Sequence, residues 1–310
     1  MTHRIGVDIG GTFTDFALFD ESAAQIAIHK QLTTPDDPSR AVLEGVTVML
    51  RDNGVAIADV ESLAHGTTLV TNALIERKGT VTGMLVTRNF LDVPDMAREQ
   101  RYDLFDLRLT FPEPLVPRNQ RREISERVGY DGAVAKALDL SEAEDAVRDL
   151  VDNAGIKALA ICMLHSYANP THEQAIESMV REKFPDLHVS TSADVYAGMG
   201  EWERWTTTSM NAYTQPLFDS YLSRIENGLA DLGFAGKLYI MTSSGGMLLP
   251  ETARRYPVRM LESGPAAGVL MSAFHGRALN LDNILSFDLG GTTAKGALVR
   301  GGEPLKTDQM

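Results

Sequence analysis

Apolar and polar residues alternate over 4–8 and again over 14–19, with Gly10-Gly11 between them. This pattern predicts a β-hairpin with a glycine-rich connection. A helix is expected over 38–53, with Pro38 near its start and Gly54 just past its end. Residues 61–64 read as a short strand, 68–78 as a helix closed by Gly79, and 81–87 as a strand. From 88 to 135 the pattern breaks down, with Pro112, Pro114 and Pro117 close together, and an extended, loop-rich excursion is expected. Alternation of helix and strand then resumes. Ser141 with Glu144 fits a capping box opening a helix to 153; 156–164 reads as a buried strand; Thr171 with Gln174 fits a second box; 187–191 is a further strand. A long helical stretch over 201–232 contains Pro216, which should kink or split it. A strand at 237–242 runs into Ser243-Ser244-Gly245-Gly246. Ser263-Gly264-Pro265 opens a helix to 274, and a strand at 283–288 ends at a second glycine turn, Gly290-Gly291. The order is that of an α/β protein.

The strongest feature is an internal repeat at an offset of 280 positions. The first copy is Val7-Asp8-Ile9-Gly10-Gly11-Thr12-Phe13-Thr14-Asp15. The second is Phe287-Asp288-Leu289-Gly290-Gly291-Thr292-Thr293-Ala294-Lys295. Paired glycines allow a tight turn and a close approach to a ligand. Amides in such a turn form an anion-binding nest, and the threonine hydroxyl adds a donor. An aspartate at the strand end can hold Mg²⁺, usually through water. Two such hairpins facing each other would clamp a triphosphate. One copy alone reads equally well as an ordinary turn; two copies in the same strand–turn–strand context make coincidence a poor explanation. No Walker-type or Rossmann-type glycine pattern is present.

Composition adds exclusions. The 310 residues suggest two domains, taken here as 1–190 with the first phosphate loop and 191–310 with the second. The net charge of −13 argues against nucleic-acid binding. The single cysteine, Cys162, lies in an apolar run and reads as a core residue. No apolar run is long enough to span a membrane and no signal-peptide pattern opens the chain, so a cytoplasmic location is expected.

The duplicated Asp-x-Gly-Gly-Thr hairpin resembles the superfamily of actin, the heat-shock chaperones related to it, and sugar kinases. Further segments narrow the likeness: His65-Gly66-Thr67-Thr68 leading to Thr71-Asn72-Ala73-Leu74-Ile75-Glu76-Arg77-Lys78-Gly79; Asn211-Ala212-Tyr213; Ser243-Ser244-Gly245-Gly246; and Ser263-Gly264-Pro265-Ala266-Ala267-Gly268. In this order they resemble the hydantoinase/5-oxoprolinase family, including N-methylhydantoinase and acetone carboxylase subunits. The resemblance implies a duplicated actin-like, ribonuclease H-like ATPase fold, with the second half truncated at residue 310 and catalysis incomplete in the chain alone. It implies ATP and Mg²⁺ as cofactors, and ATP-dependent phosphorylation of a cyclic-amide carbonyl before hydrolytic ring opening. A hydantoinase B-type second subunit, or a fused second half, would complete that hydrolysis. Gly10, Gly11, Thr12 and Thr14 belong to the first phosphate loop, and Gly290, Gly291, Thr292 and Thr293 to the second. Gly245 and Gly246 join them as nucleotide-contacting candidates in a loop after a strand. Asp8 and Asp288 are the metal and catalytic candidates. His65 is a further catalytic candidate, because Gly66, Thr67 and Thr68 follow it at an expected helix start. The alternatives are an acetone carboxylase-type subunit, a small-metabolite kinase, a non-catalytic ATP-binding module and a purely structural partner subunit. Ser263-Gly264-Pro265 reads chiefly as a helix start, 201–205 as a solvated face over two tryptophans, and His165, His172 and His188 as structural.

Overall fold

A computed structural model describes residues 3–98, 105–106, 108–289 and 294–306. Strands β1 (His3–Ile9), β2 (Phe13–Asp20) and β3 (Gln25–Leu32) form an antiparallel meander. Helix α1 (Pro38–Asp52), strand β4 (Val60–Thr67) and helix α2 (Leu69–Ile75) follow. Next come β5 (Thr82–Thr87), α3 (Val93–Met96), β6 (Arg121–Ile124), the small hairpin β7 (Arg127–Val128) and β8 (Val134–Lys136), α4 (Leu140–Ala154), β9 (Ala158–Cys162), α5 (Thr171–Lys183), β10 (His188–Thr191) and α6 (Ser192–Val195). The long α7 (Glu201–Asp231) leads to β11 (Lys237–Met241), β12 (Met247–Leu248), α8 (Pro250–Arg255), α9 (Ser263–Ala278), β13 (Asn283–Leu289), β14 (Ala294–Arg300) and β15 (Glu303–Pro304). The chain divides into two compact units, one of residues 1–72 with 218–310 and one of 73–217.

The first unit holds a six-stranded sheet of order β12-β11-β4-β1-β2-β3. Alternation in β1 and β2 sends Ile5, Val7, Ile9, Phe16 and Leu18 to one face, where Val42, Val46 and Met49 of α1 and Phe218, Tyr221 and Ile225 of α7 cover them. Each such buried side chain contributes about 1.5–3 kcal/mol. Gly45 lets α1 lie against the sheet, since a Cβ there would meet the Phe16 ring at 2.0 Å. Asp37 caps α1 by accepting from the Ser39 amide, and Pro38 sits in its first turn.

The second unit is built on a parallel sheet of order β10-β9-β5-β6. All of β5 and β9 is buried, as expected for a sheet covered on both faces. Leu85, Leu159 and Ile161 meet α4 and α5 on one face, whereas Met84, Val86, Ala158, Ala160 and Cys162 meet Trp205 and Ala212 of α7 on the other. Trp205 is therefore part of this core, lying beneath the surface of α7. Past the strand ends lies a buried polar network. Glu126 pairs with His172 at 2.6 Å, and Glu173 accepts from the Ser192 hydroxyl and the Met163 amide.

Some local details differ from the sequence expectation. Asp139, not Ser141, caps α4, accepting from the Ser141 and Glu142 amides. Asn169, not Thr171, accepts at the start of α5. Pro216 lies inside α7 without splitting it. The Tyr213 carbonyl, near the break that proline makes in the helix ladder, instead accepts from Thr80 at 2.9 Å.

The third sheet, β13-β14-β15, carries the second copy of the repeat. Helix α9 packs on one of its faces, with Gly276 making room for Ile284. The other face is open. Ile5, Val7, Ile9 and Leu18 are between 2% and 4% exposed, whereas their repeat equivalents Leu285, Phe287, Leu289 and Leu298 are between 52% and 72% exposed.

Candidate functional site

Asp8 ends β1 between two neighbours, opposite Asp15 of β2 and Gly66 of β4. Glycine is needed beside it. A Cβ on Gly66 would stand 2.9 Å from the Asp8 Oδ1, and one on Gly264, at the start of α9, would stand 3.2 Å away. The carboxylate thus lies against two glycines from distant parts of the chain, while Asp8 as a residue stays exposed to solvent. Desolvation raises its pKa above the ordinary carboxylate value, the charges of Asp15 and Asp288 raise it further, and Lys295 opposes them. Asp15 is itself paired with Lys30 at 2.8 Å.

Between β1 and β2, the Gly10 amide donates to the Phe13 carbonyl at 2.9 Å. Thr33, just past β3, braces the turn from below. Its amide donates to the Thr12 carbonyl, its hydroxyl to the Gly10 carbonyl at 2.8 Å, and its Oγ1 lies 2.9 Å from that of Thr14. Thr14 is buried in this brace, while Gly11 and Thr12 are exposed at the tip. Neither Gly10 nor Gly11 has positive φ. What glycine supplies at position 11 is open space, with nothing within 4 Å of where a Cβ would stand.

At the end of β4, His65 is buried and its Nε2 lies 2.6 Å from the Tyr221 hydroxyl. Desolvation lowers the His65 pKa to about 4, so the imidazole is neutral. The corner after it is tied to its neighbours. Thr67 N–H donates to the Ser263 hydroxyl, Thr68 N–H to the Ile9 carbonyl, and Leu69 N–H to the Thr67 hydroxyl. The Ser263 hydroxyl donates back to the Thr67 carbonyl at 3.2 Å, latching α9 to β4 beside Asp8. The Thr67 and Thr68 amides, two of those at the expected helix start, are thus engaged within the protein.

In the second hairpin Asp288 of β13 faces Lys295 of β14. Lys295 forms an ion pair with Glu262. Gly290, Gly291, Thr292 and Thr293 lie outside the described residues. The loop of Gly245 and Gly246 connects β11 to β12. Gly245, at φ +83°, donates to the Thr242 carbonyl, Gly246 to the Thr242 hydroxyl, and Ser243 to the Arg259 carbonyl. The structure thus brings Asp8, Asp288 and the first turn together, and places His65 and Thr14 beneath them as supports.

Two family models match this chain: Hydantoinase/oxoprolinase N-terminal region over residues 4–184, and Hydantoinase/oxoprolinase over residues 204–310. The chain belongs to the hydantoinase/oxoprolinase family. It is 32% identical to the caprolactamase subunit alpha of Pseudomonas jessenii, across 97% of this chain and 44% of that one. It is 31% identical to 5-oxoprolinase 1 of Arabidopsis thaliana, across 94% of this chain and 25% of that one. The structure of the ATP-dependent caprolactamase matches with a TM-score of 0.85, at 32% identity, covering 95% of this chain and 43% of that chain. A nucleotide-free structure from work on ATP-dependent acetone carboxylation matches with a TM-score of 0.84, at 29% identity, covering 97% and 44%. These likenesses give the hydantoinase/oxoprolinase chain the actin-like ATPase fold. The chain spans less than half the length of these relatives.

Several residues of the site were not singled out by sequence reasoning. Gly66 and Gly264 were read as parts of turns and helix starts, though their closeness to Asp8 is a tertiary fact. Thr33 carries no local signal. Lys295 stood within the repeat, opposite in charge to Asp15 at the matching position.

Proposed function

We propose that this chain is the ATP-handling subunit of a cyclic-amide hydrolase of the hydantoinase/5-oxoprolinase type. The observation that carries the reading is the convergence of Asp8 and Asp288 beside the exposed Gly10-Gly11-Thr12 turn. Desolvation, and then the charges of Asp15 and Asp288, raise the Asp8 pKa, and two neighbouring carboxylates call for a cation between them and an anionic ligand. Among the described residues no group of three or more His, Cys, Asp or Glu is arranged to hold a metal. Two carboxylates suit Mg²⁺ nonetheless, because it keeps several waters and takes further oxygens from substrate phosphates. Asp8 and Asp288 would hold it, and when bound it would neutralise phosphate charge.

In this proposal the first turn and the second glycine turn, with Gly290, Gly291, Thr292 and Thr293, hold the phosphates. Thr14 and His65 keep the first turn and Asp8 in place, and the Gly245-Gly246 loop borders the nucleotide. The amide carbonyl oxygen attacks the γ-phosphorus, the bond to the bridging oxygen breaks, and ADP leaves. Water then adds to the activated carbon, the ring C–N bond breaks with the nitrogen leaving as the amine, and a second water hydrolyses the resulting acyl phosphate to the carboxylate and free phosphate. The protein contributes mainly position and charge neutralisation. A B-type second subunit, or a further half of the same polypeptide, supplies the water-activating groups. The cytoplasm is the expected setting, since ATP is available there.

A second reading, a carboxylase subunit, draws support from the acetone carboxylase match, almost equal to that of caprolactamase. It shares the phosphorylation step and differs in what attacks next. Mg-ATP turnover by the protein with its second subunit, given hydantoin or 5-oxoproline, separates the readings. The proposal expects ring-stimulated ADP release with the opened acid as product. ATP use without ring opening overturns it in favour of a carboxylase or kinase.

A further inference from the structure

The two hairpins share Asp, Gly-Gly and Thr at matching positions, but they differ in charge at the residue that faces the aspartate across the ladder. Asp8 faces Asp15 across the first hairpin, whereas Asp288 faces Lys295 across the second. The same place therefore carries an acid in one copy and a base in the other. The Asp15 charge is answered locally by Lys30. Lys295 is held differently. Its partner Glu262 immediately precedes α9 and has a left-handed backbone, φ 59°, uncommon for a residue with a side chain. The Glu262 amide is fixed by the Thr71 hydroxyl at 3.2 Å. Lys295 is also the cation whose charge is felt at Asp8.

We propose that Lys295 is a further catalytic residue, one that leaves Glu262 to bind the γ-phosphoryl group of ATP as it is transferred. The proposal rests on the ATP-dependent reading above. Phosphoryl transfer spreads negative charge over three equatorial oxygens, and a flexible ammonium beside both aspartates can follow that charge. The pair with Glu262 is partly solvent-exposed, with 28% and 35% of the two side chains accessible, so exchanging one carboxylate for a phosphate costs little. The swap of Asp15 for Lys295 then makes the clamp asymmetric, with the cation on the second hairpin.

A purely structural salt bridge would predict that removing either partner has the same effect. The test compares Lys295→Met, Lys295→Arg and Glu262→Gln in the assembled protein. It reads calorimetric affinity for Mg-ATP and Mg-ADP, and substrate-stimulated ADP release. Lys295→Met is expected to weaken ATP about tenfold with ADP unchanged, and to slow turnover about 100-fold, with partial recovery in Lys295→Arg. Glu262→Gln is expected to stay within about threefold of the parent in all three readouts. Equal losses in Lys295→Met and Glu262→Gln, or an unchanged ATP-to-ADP preference in Lys295→Met, overturn the assignment while leaving the ATP reading intact. A parent protein that binds neither nucleotide overturns both.

Discussion

The Nε2 of His65 lies 2.6 Å from the hydroxyl of Tyr221, and both side chains are fully buried. The imidazole is neutral, so its tautomer sets which of the two groups donates, and the Thr67 hydroxyl also lies against the phenol. Burial raises the Tyr221 pKa, so the phenol keeps its proton. This chain of hydroxyls ties α7 to the end of β4, directly below Gly66 and Asp8.

Tyr221→Phe removes the shared hydroxyl and leaves the imidazole nitrogen without that partner. Stability should fall by about 1–3 kcal/mol in urea denaturation, with Mg-ATP affinity kept within a few-fold. An unchanged midpoint would show that the hydrogen bond adds nothing.

The same histidine predicts a pH dependence. Its folded pKa, about 4, is below the ordinary 6.5, so between these values the unfolded chain binds more protons. The associated stability is full above about pH 6.5 and is lost as pH falls toward 4, by roughly 3 kcal/mol in total. The difference in stability between the parent and His65→Gln, followed from pH 7.5 to 4.5, should shrink as pH falls. A difference that stays flat or grows would refute the buried neutral imidazole.

Gly66→Ala sets a methyl group where the Asp8 carboxylate now rests. Because that carboxylate ends a short flexible side chain, it can swing away, and the melting temperature should move by no more than about 2 °C. Mg-ATP affinity should nevertheless drop about tenfold, or roughly 1.4 kcal/mol, as the metal position is lost. Retained affinity would mean that Asp8 does not need its place against Gly66.

The repeat gives a paired test of packing. Ile5→Ala should cost about 2–5 kcal/mol, while Leu285→Ala, at the matching position 66% exposed, should cost less than about 0.5 kcal/mol. Similar losses at the two sites, compared by chemical denaturation of this chain, would show that the second hairpin is covered.

These contrasts explain what could be read from sequence. The repeat was legible because Asp, Gly-Gly and Thr are local requirements of one turn, repeated in one context. The βα order of the second unit was legible because fully apolar runs such as Ala158–Cys162 permit little else. Strand β3 escaped notice for a physical reason. Its apolar residues Ile26, Ile28 and Leu32 face outward, while His29 and Gln31 turn toward Phe16 and α1. The capping acceptors were misplaced by two residues because Asp139 and Asn169 offer the same kind of acceptor as the Ser141 and Thr171 chosen from the pattern. The support role of His65 depends on Tyr221, 156 residues away, and no local pattern reports such a partner.

The central claim is that Asp8 and Asp288 together hold the metal that brings ATP to the paired hairpins. It is tested most directly by calorimetric titration of ATP, with and without Mg²⁺, into the parent, Asp8→Asn and Asp288→Asn. The account predicts tight binding by the parent only with Mg²⁺, and loss of the Mg²⁺ enhancement in each variant, about tenfold or more in affinity. Variants that bind Mg-ATP as tightly as the parent would contradict it.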